Sequence, residues 1–286
     1  TIESPWRMTY RRLKKNKLAV VSLWFIGLLL VFAIGSTFVV STKSATKFNS
    51  EQVEVYRNLP PKISDNFPFW NGSIVYSGNT EANDAYADQS VPEETKFVLG
   101  TDNLGRSIAK RVTVGIRISL LIAVIATLID LIIGVTYGLI SGFSGGKVDT
   151  IMQRIIEVIS SIPNLVIVTM LGLLLGNGVT SIIISIAIVG WTSMARQVRN
   201  LTLSYKERDF VLASRALGES NLKIAFKHVL PNISGIIIVQ IMMTVPSAIM
   251  YESVLSAINL GVKPPTASLG SLITDAQENL QYYPYQ

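Results

Sequence analysis

The sequence predicts an all-α, polytopic helical membrane protein, and three observations carry that expectation. Of 286 residues, 49% are hydrophobic and only 15% are charged, against roughly 25% charged in an ordinary soluble domain; mean hydropathy is +0.42. The apolar residues gather into five runs, 18–40, 118–140, 151–175, 179–194 and 233–258, most of them near the roughly 20 residues that cross a bilayer. Basic residues cluster beside these runs rather than inside them. The fourth run is short, and needs Ala195 and the neighbouring turns to complete a span. A β-barrel is excluded, because barrel strands alternate polar with apolar over about 10 residues.

The first transmembrane helix is expected over 18–40. That run of about 23 residues exceeds the roughly 7–15 of a signal-peptide core, and no Ala-x-Ala cleavage pattern follows it. Arg7, Arg11, Arg12, Lys14, Lys15 and Lys17 stand just before it, so the positive-inside rule places 1–17 in the cytoplasm. Alternation then puts 41–117 outside, 141–150 inside, 176–178 outside and 195–232 inside. The last segment carries Arg196, Arg199, Lys206, Arg208, Arg215, Lys223 and Lys227, which agrees independently. The net charge of +6 therefore belongs to the membrane surface and its lipid. A nucleic-acid partner is not expected, since no aromatic series accompanies these clusters.

Residues 41–105 are rich in Asn, Ser, Pro and Asp, with Phe67, Phe69, Trp70 and Tyr76 among them. The aromatics supply apolar surface to bury, so a small extracytoplasmic cap is expected in place of a linker. Residues 108–117 are amphipathic, and are expected to lie along the outer membrane face before the second span. In that span Gly134, Gly138 and Gly142 repeat on one face, which suits close packing against another helix.

Several chemistries are excluded. There is no cysteine, hence no disulfide, thiolate metal site or cysteine nucleophile. His228 is the single histidine and is expected to pack or cap rather than ligate a metal. Gly145-Gly146-Lys147 lacks the other members of a phosphate loop, with Ser141 and Val148 where Gly and a hydroxyl are needed. No catalytic residue, metal or cofactor is expected in this chain. Asp130 interrupts the second span, where an ionised carboxylate costs about 2.5–3.5 kcal/mol. It serves either a pathway or a hydrogen bond to a neighbouring helix. Glu252 is likewise not expected to face lipid, whereas Glu157 has Arg154 three residues before it and can form a simple pair. Pro163 and Pro246 are hinges or static kinks.

Two apolar runs flank the polar island Glu207-Arg208-Asp209-Phe210-Val211-Leu212-Ala213-Ser214-Arg215-Ala216-Leu217-Gly218, which closes with His228-Val229-Leu230-Pro231-Asn232. It resembles the loop by which permease subunits of ABC importers dock onto their ATPases: Glu-Ala-Ala, three residues, Gly, nine residues, Ile, one residue, Leu-Pro. Ala213, Gly218, Leu230 and Pro231 fit; Ser214 is a mild change, Leu212 stands for Glu and His228 for Ile. With Leu99-Gly100-Thr101-Asp102-Asn103-Leu104-Gly105-Arg106 and Gly142-Phe143-Ser144-Gly145-Gly146-Lys147-Val148-Asp149, the chain resembles the C-type permease of oligopeptide/dipeptide ABC importers over nearly its whole length.

That resemblance implies a type I ABC importer permease fold in a bacterial cytoplasmic membrane. Its core would be 118–258, with a docking loop at 204–232. A six-span family implies a sixth helix beyond Gln286, with 259–286 as an extracytoplasmic segment leading to it. It further implies a homologous second permease, two ATPase subunits that bind ATP and Mg, and an extracytoplasmic peptide-binding protein. Docking would use a helix at 208–221 through Arg208, Asp209, Leu212, Ala213, Ser214, Arg215, Ala216, Leu217 and Gly218. The alternative is an ion-coupled secondary transporter or membrane-embedded enzyme using Asp130, Glu157 and Glu252.

Overall fold

A computed structural model describes residues 14, 17–67, 69–74, 83–176, 178–262 and 264–286. Arg7, Arg11, Arg12, Lys15 and Tyr76 lie outside the described residues. Four helices are long and apolar enough to cross a bilayer: Lys17–Val39, Ile108–Ser144, Val179–Lys206 and Asn221–Ala257. Gly146–Ser161 and Asn164–Leu175 make a fifth if the bent pair is one span. The chain divides into two compact units, one built on Leu121–Tyr251 and the other on Leu30–Leu120 with Glu252–Gln286.

In the first unit, the glycine face of Ile108–Ser144 meets Val179–Lys206. A Cβ at Gly134 would lie 2.6 Å from Met194 Cβ, one at Gly138 2.5 Å from the Ala195 carbonyl oxygen, and one at Gly142 2.8 Å from Thr202 Cβ. Missing side chains let the two backbones approach, which is how helices associate where no hydrophobic effect operates. At one end of this seam Asp149 accepts hydrogen bonds from Arg199 Nε at 2.6 Å and from Ser141 Oγ at 2.5 Å. Lys206 Nζ donates to the Phe143 carbonyl at 2.7 Å. The 142–149 motif is thus a clasp between helices. Val179–Lys206 runs well past the short apolar run, because its later polar residues are satisfied by this clasp.

The third span is not one helix. Ile162 adopts an extended conformation (φ −94°, ψ 132°) before Pro163, and the helices on either side are bent by 79°. Proline lacks an N–H and disfavours helix in the residue before it, and the helix breaks at Ile162 and Pro163 in place of running on through 151–175. Pro246, by contrast, sits inside Leu230–Ala257 without ending it. That helix is entered through a π turn, Ala225–Val229. The widened turn gives way to Pro231, whose ring in a regular helix would press on the carbonyl four residues back.

In the second unit, the described residues between 41 and 107 form a folded cap. Leu59, Ala85 and Tyr86 are its buried centre, with Tyr56 and Phe97 packed around them. Ser73–Ile74 pairs antiparallel with Asn83–Asp84, and Tyr86 Oη donates to the Pro60 carbonyl at 2.9 Å. The expectation about which aromatics fill the cap is corrected. Phe69 is 89% exposed at a turn residue with φ +67°, and Phe67 is also exposed. Local turn geometry turns them out, while aromatics further along the chain turn in.

The 99–106 motif locks this cap. Gly100 and Gly105 have φ of +75° and +68°, and Cβ atoms there would fall 2.4 Å from the Leu59 oxygen and 2.5 Å from the Gln52 oxygen. Asp102 accepts from the Leu104 and Arg106 amides and from Arg106 Nε and an Arg111 amino group, all at 2.8–2.9 Å. Arg111 also donates to Asp275 at 2.9 Å. This overturns the interfacial helix expected at 108–117. With Arg111 neutralised inside the unit and Arg117 donating to the Val40 carbonyl at 2.7 Å, neither charge needs the membrane surface. Ile108–Ser144 continues unbroken for 37 residues. Within 259–286, expected as a segment leading to a further helix, lies the helix Leu269–Asn279, started by a reciprocal capping box of Ser268 and Ser271.

The glycine seam makes an expected outcome. Gly138→Ala should lower the detergent-solubilised protein's stability by about 1–3 kcal/mol through overpacking. Gly235→Ala, with open space around it, should be neutral. Thermal denaturation of the two variants side by side checks this; equal melting temperatures would remove the seam's role.

Candidate functional site

The residues expected to dock a partner lie on a short surface helix, Asp209–Ala216, shorter than the 208–221 expected. Asp209 in its first turn and Arg215 in its last both complement the helix dipole. Ser214 Oγ bonds back to the Phe210 carbonyl at 2.9 Å, and Gly218, at φ +81°, turns the chain where the helix ends. A left-handed residue of this kind closes a helix by letting later amides reach its last carbonyls; here the Glu219 amide meets the Ser214 oxygen at 3.2 Å.

An eight-residue helix is too short to persist alone in water. Val211 anchors it, fully buried in the core made by Val198, Ile224, Val229 and Ile233. Around it Arg208, Asp209, Leu212, Ala213, Arg215, Ala216, Leu217 and Gly218 are exposed, with Ser214 intermediate. Leu217 is 86% exposed and Leu212 48%. Arg208 lies 5.8 Å from the Tyr205 ring. Among the described residues neither Asp209 nor Arg215 is in an ion pair. The helix presents small residues, two bare leucines and uncommitted charges together.

Glu219, which sequence reasoning passed over, pins the chain behind Gly218. It meets His228 Nε2 at 2.8 Å, Lys223 at 3.2 Å and Lys227 at 3.3 Å. Hydrogen bonds from Lys223, then His228, hold its carboxyl at about 2, below the ordinary 4.5. A depressed value means that the cluster's contribution is complete at neutral pH and fades only as pH falls from about 4.5 toward 2. The spacing of Glu219, Lys223 and Lys227 at helical intervals was the available signal. No metal-ligating group of three occurs among the described residues; His228 is engaged by Glu219.

The two carboxylates flagged in the spans differ. Glu252 is fully buried and accepts four hydrogen bonds: Ser119 at 3.0 Å, Ser256 at 3.0 Å, Ser268 at 2.5 Å and the Gly270 amide at 3.3 Å. It ties the second unit's helices to the capped helix Leu269–Asn279. Asp130 is 2% exposed, and among the described residues its Oδ1 has no hydrogen-bond partner. Gly190 makes room for it, since a Cβ there would lie 2.3 Å from Asp130 Oδ2. Glu157 is exposed and paired with Arg154 at 2.9 Å.

The model of the family described as binding-protein-dependent transport system inner membrane component matches residues 134–285. That of the N-terminal TM domain of oligopeptide transport permease C matches residues 4–61. The chain is 63% identical to the dipeptide transport system permease protein DppC of Lactococcus lactis subsp. cremoris (strain MG1363), over 97% of this chain and 81% of that one. It is 39% identical to the DppC of Bacillus subtilis (strain 168), over 93% of this chain and 72% of that one. Against the oligopeptide transport system permease protein OppC of the same organism it is 38% identical, over 99% and 81%.

Two outcomes follow from this geometry. Glu252→Ala strands three hydroxyls and an amide, at about 1–3 kcal/mol for each buried group left unmatched. It should reduce yield and melting temperature sharply, while Glu252→Gln, which keeps an acceptor, loses less; a melting curve that ranks them the other way refutes the structural role. Glu219→Gln should loosen 218–228, seen as faster amide hydrogen exchange there at neutral pH with exchange in the spans unchanged.

Proposed function

This chain belongs to the family of inner-membrane components of binding-protein-dependent transport systems, and from that premise we propose how it works within an ATP-driven peptide importer. The chain forms one half of a translocation pathway, and a homologous permease forms the other. Two cytoplasmic ATPase subunits bind and hydrolyse ATP with Mg; this chain does neither and catalyses no reaction. An extracytoplasmic binding protein delivers peptide to the side on which the cap lies. The N-terminus is cytoplasmic, as the basic residues before the first span require.

The observation that carries this reading is the helix Asp209–Ala216, held by one buried side chain and presenting an exposed small-residue face. A groove on an ATPase admits Ala213 and Ala216 at close range, while Leu212 and Leu217 supply apolar area. Arg208, Asp209 and Arg215 set register through charge-assisted hydrogen bonds. Because Val211 shares its core with Ile224, Val229 and Ile233, a push on this helix reaches the start of Leu230–Ala257. Nucleotide-driven closure thereby becomes alternating access of the spans.

An ion-coupled transporter or a membrane enzyme built on Asp130, Glu157 and Glu252 is the weaker account. Glu252 has every oxygen occupied by hydroxyl or amide donors, and Glu157 sits exposed in a simple pair. A proton relay needs groups that can release what they hold.

Ala213→Arg puts a long cation into the groove, and Gly218→Val forces a β-branched residue into the left-handed region. Each should abolish peptide uptake by the assembled transporter and uncouple ATP hydrolysis from loaded binding protein, with membrane insertion unchanged. Normal uptake by both variants would end this assignment of the coupling element.

A further inference from the structure

Asp130 lines a cavity of about 220 Å³ within the first unit, whose wall is partly apolar, through residues such as Val168, Ile186 and Val189, and partly polar. Asn164, Ser193, Gln240, Thr244, Ser247 and Tyr251 contribute polar atoms, and among the described residues no lysine, arginine or histidine lines it. Thr244 and Ser247 donate their hydroxyl hydrogens to backbone carbonyls of their own helix, at 3.1 and 2.9 Å. Their oxygens are therefore left as acceptors. A carboxylate 2% exposed, with an oxygen lacking any partner, completes an acceptor-rich lining. Gly190 preserves the space, since any side chain there would collide with the carboxylate.

Such a wall does not face lipid, where each unmatched polar group costs free energy. Nor is it a closed structural site like that of Glu252, which gathers its donors from its own unit. What is missing is a positive charge with several hydrogens to donate. A primary ammonium has three donors and no acceptor, and the free α-amino group of a peptide is such a cation near neutral pH.

We propose that the Asp130 cavity is a subsite of the translocation pathway that holds the ammonium group of the cargo. The carboxylate supplies the counter-charge, and the acceptors of Gln240, Thr244 and Ser247 take the remaining N–H bonds. This rests on the importer reading, and adds to it a recognition site inside the permease, independent of the binding protein. A free amino terminus is then selected within the membrane.

The test uses the complete transporter in lipid nanodiscs without binding protein, and radiolabelled dialanine with its N-acetyl analogue as probes. The wild type should retain dialanine at least about tenfold more tightly than the acetylated peptide, the scale of one lost charge-assisted contact. Asp130→Asn should erase that preference. Gln240→Lys leaves Asp130 in place but supplies an internal ammonium, and should exclude dialanine. Co-elution of both permeases with both ATPase subunits in size-exclusion chromatography of each variant reports that the complexes are assembled. Equal binding of the two probes by the wild type, binding of neither, an undiminished preference in Asp130→Asn, or displacement of dialanine by sodium ions would each overturn the proposal. Absence of peptide uptake by the wild-type complex with its binding protein counts against the importer reading alone, because nanodisc binding is measured without it.

Discussion

Hydrocarbon offers no hydrogen bonds, so every polar group that this chain carries into the bilayer must be answered by the protein itself or by something passing through it. Glu252 is answered by three serines and an amide. Beyond the apolar runs the same pairing recurs, Arg199 with Asp149 and Arg111 with Asp102 and Asp275. Where the answer comes from within, helices are tied together. Asp130 is the exception: its Oδ1 has no partner among the described residues, and it lines a cavity.

The same constraint explains the helix seam. Apolar side chains gain little by leaving lipid for one another, so close contact must come from shape. Gly134, Gly138 and Gly142 remove the side chains that would hold the backbones apart. The clasp of Asp149, Arg199 and Lys206 then fixes where along the seam the helices stop sliding.

Outside the bilayer the balance reverses. Asp209–Ala216 is too short to be stable by itself, and one buried valine with a carboxylate cluster behind it is what places it. A lightly held element of this kind can be moved by a partner without unfolding the spans. The π turn and Pro231 just after it give the following helix an irregular entry, where a change of pitch costs less than in a regular helix.

Fold class, the positions of most spans and a short polar helix between two of them were legible from composition, apolar run length and motif spacing, because these are local or additive properties of the chain. Gly218 as a helix terminator was legible for the same reason: it depends on one residue's backbone freedom. Tertiary structure decided the rest. Residues 108–117 read as a surface helix because their arginines look exposed in sequence; only folding brings Asp102 and Asp275 to Arg111. Phe67 and Phe69 looked like core, and turn geometry put them outside. Asp130 and Glu252 are equivalent in sequence, each a lone acid in an apolar run. Three-dimensional packing surrounds one with donors and leaves the other without, since a hydrogen bond is made by neighbours in space that the chain's order does not name.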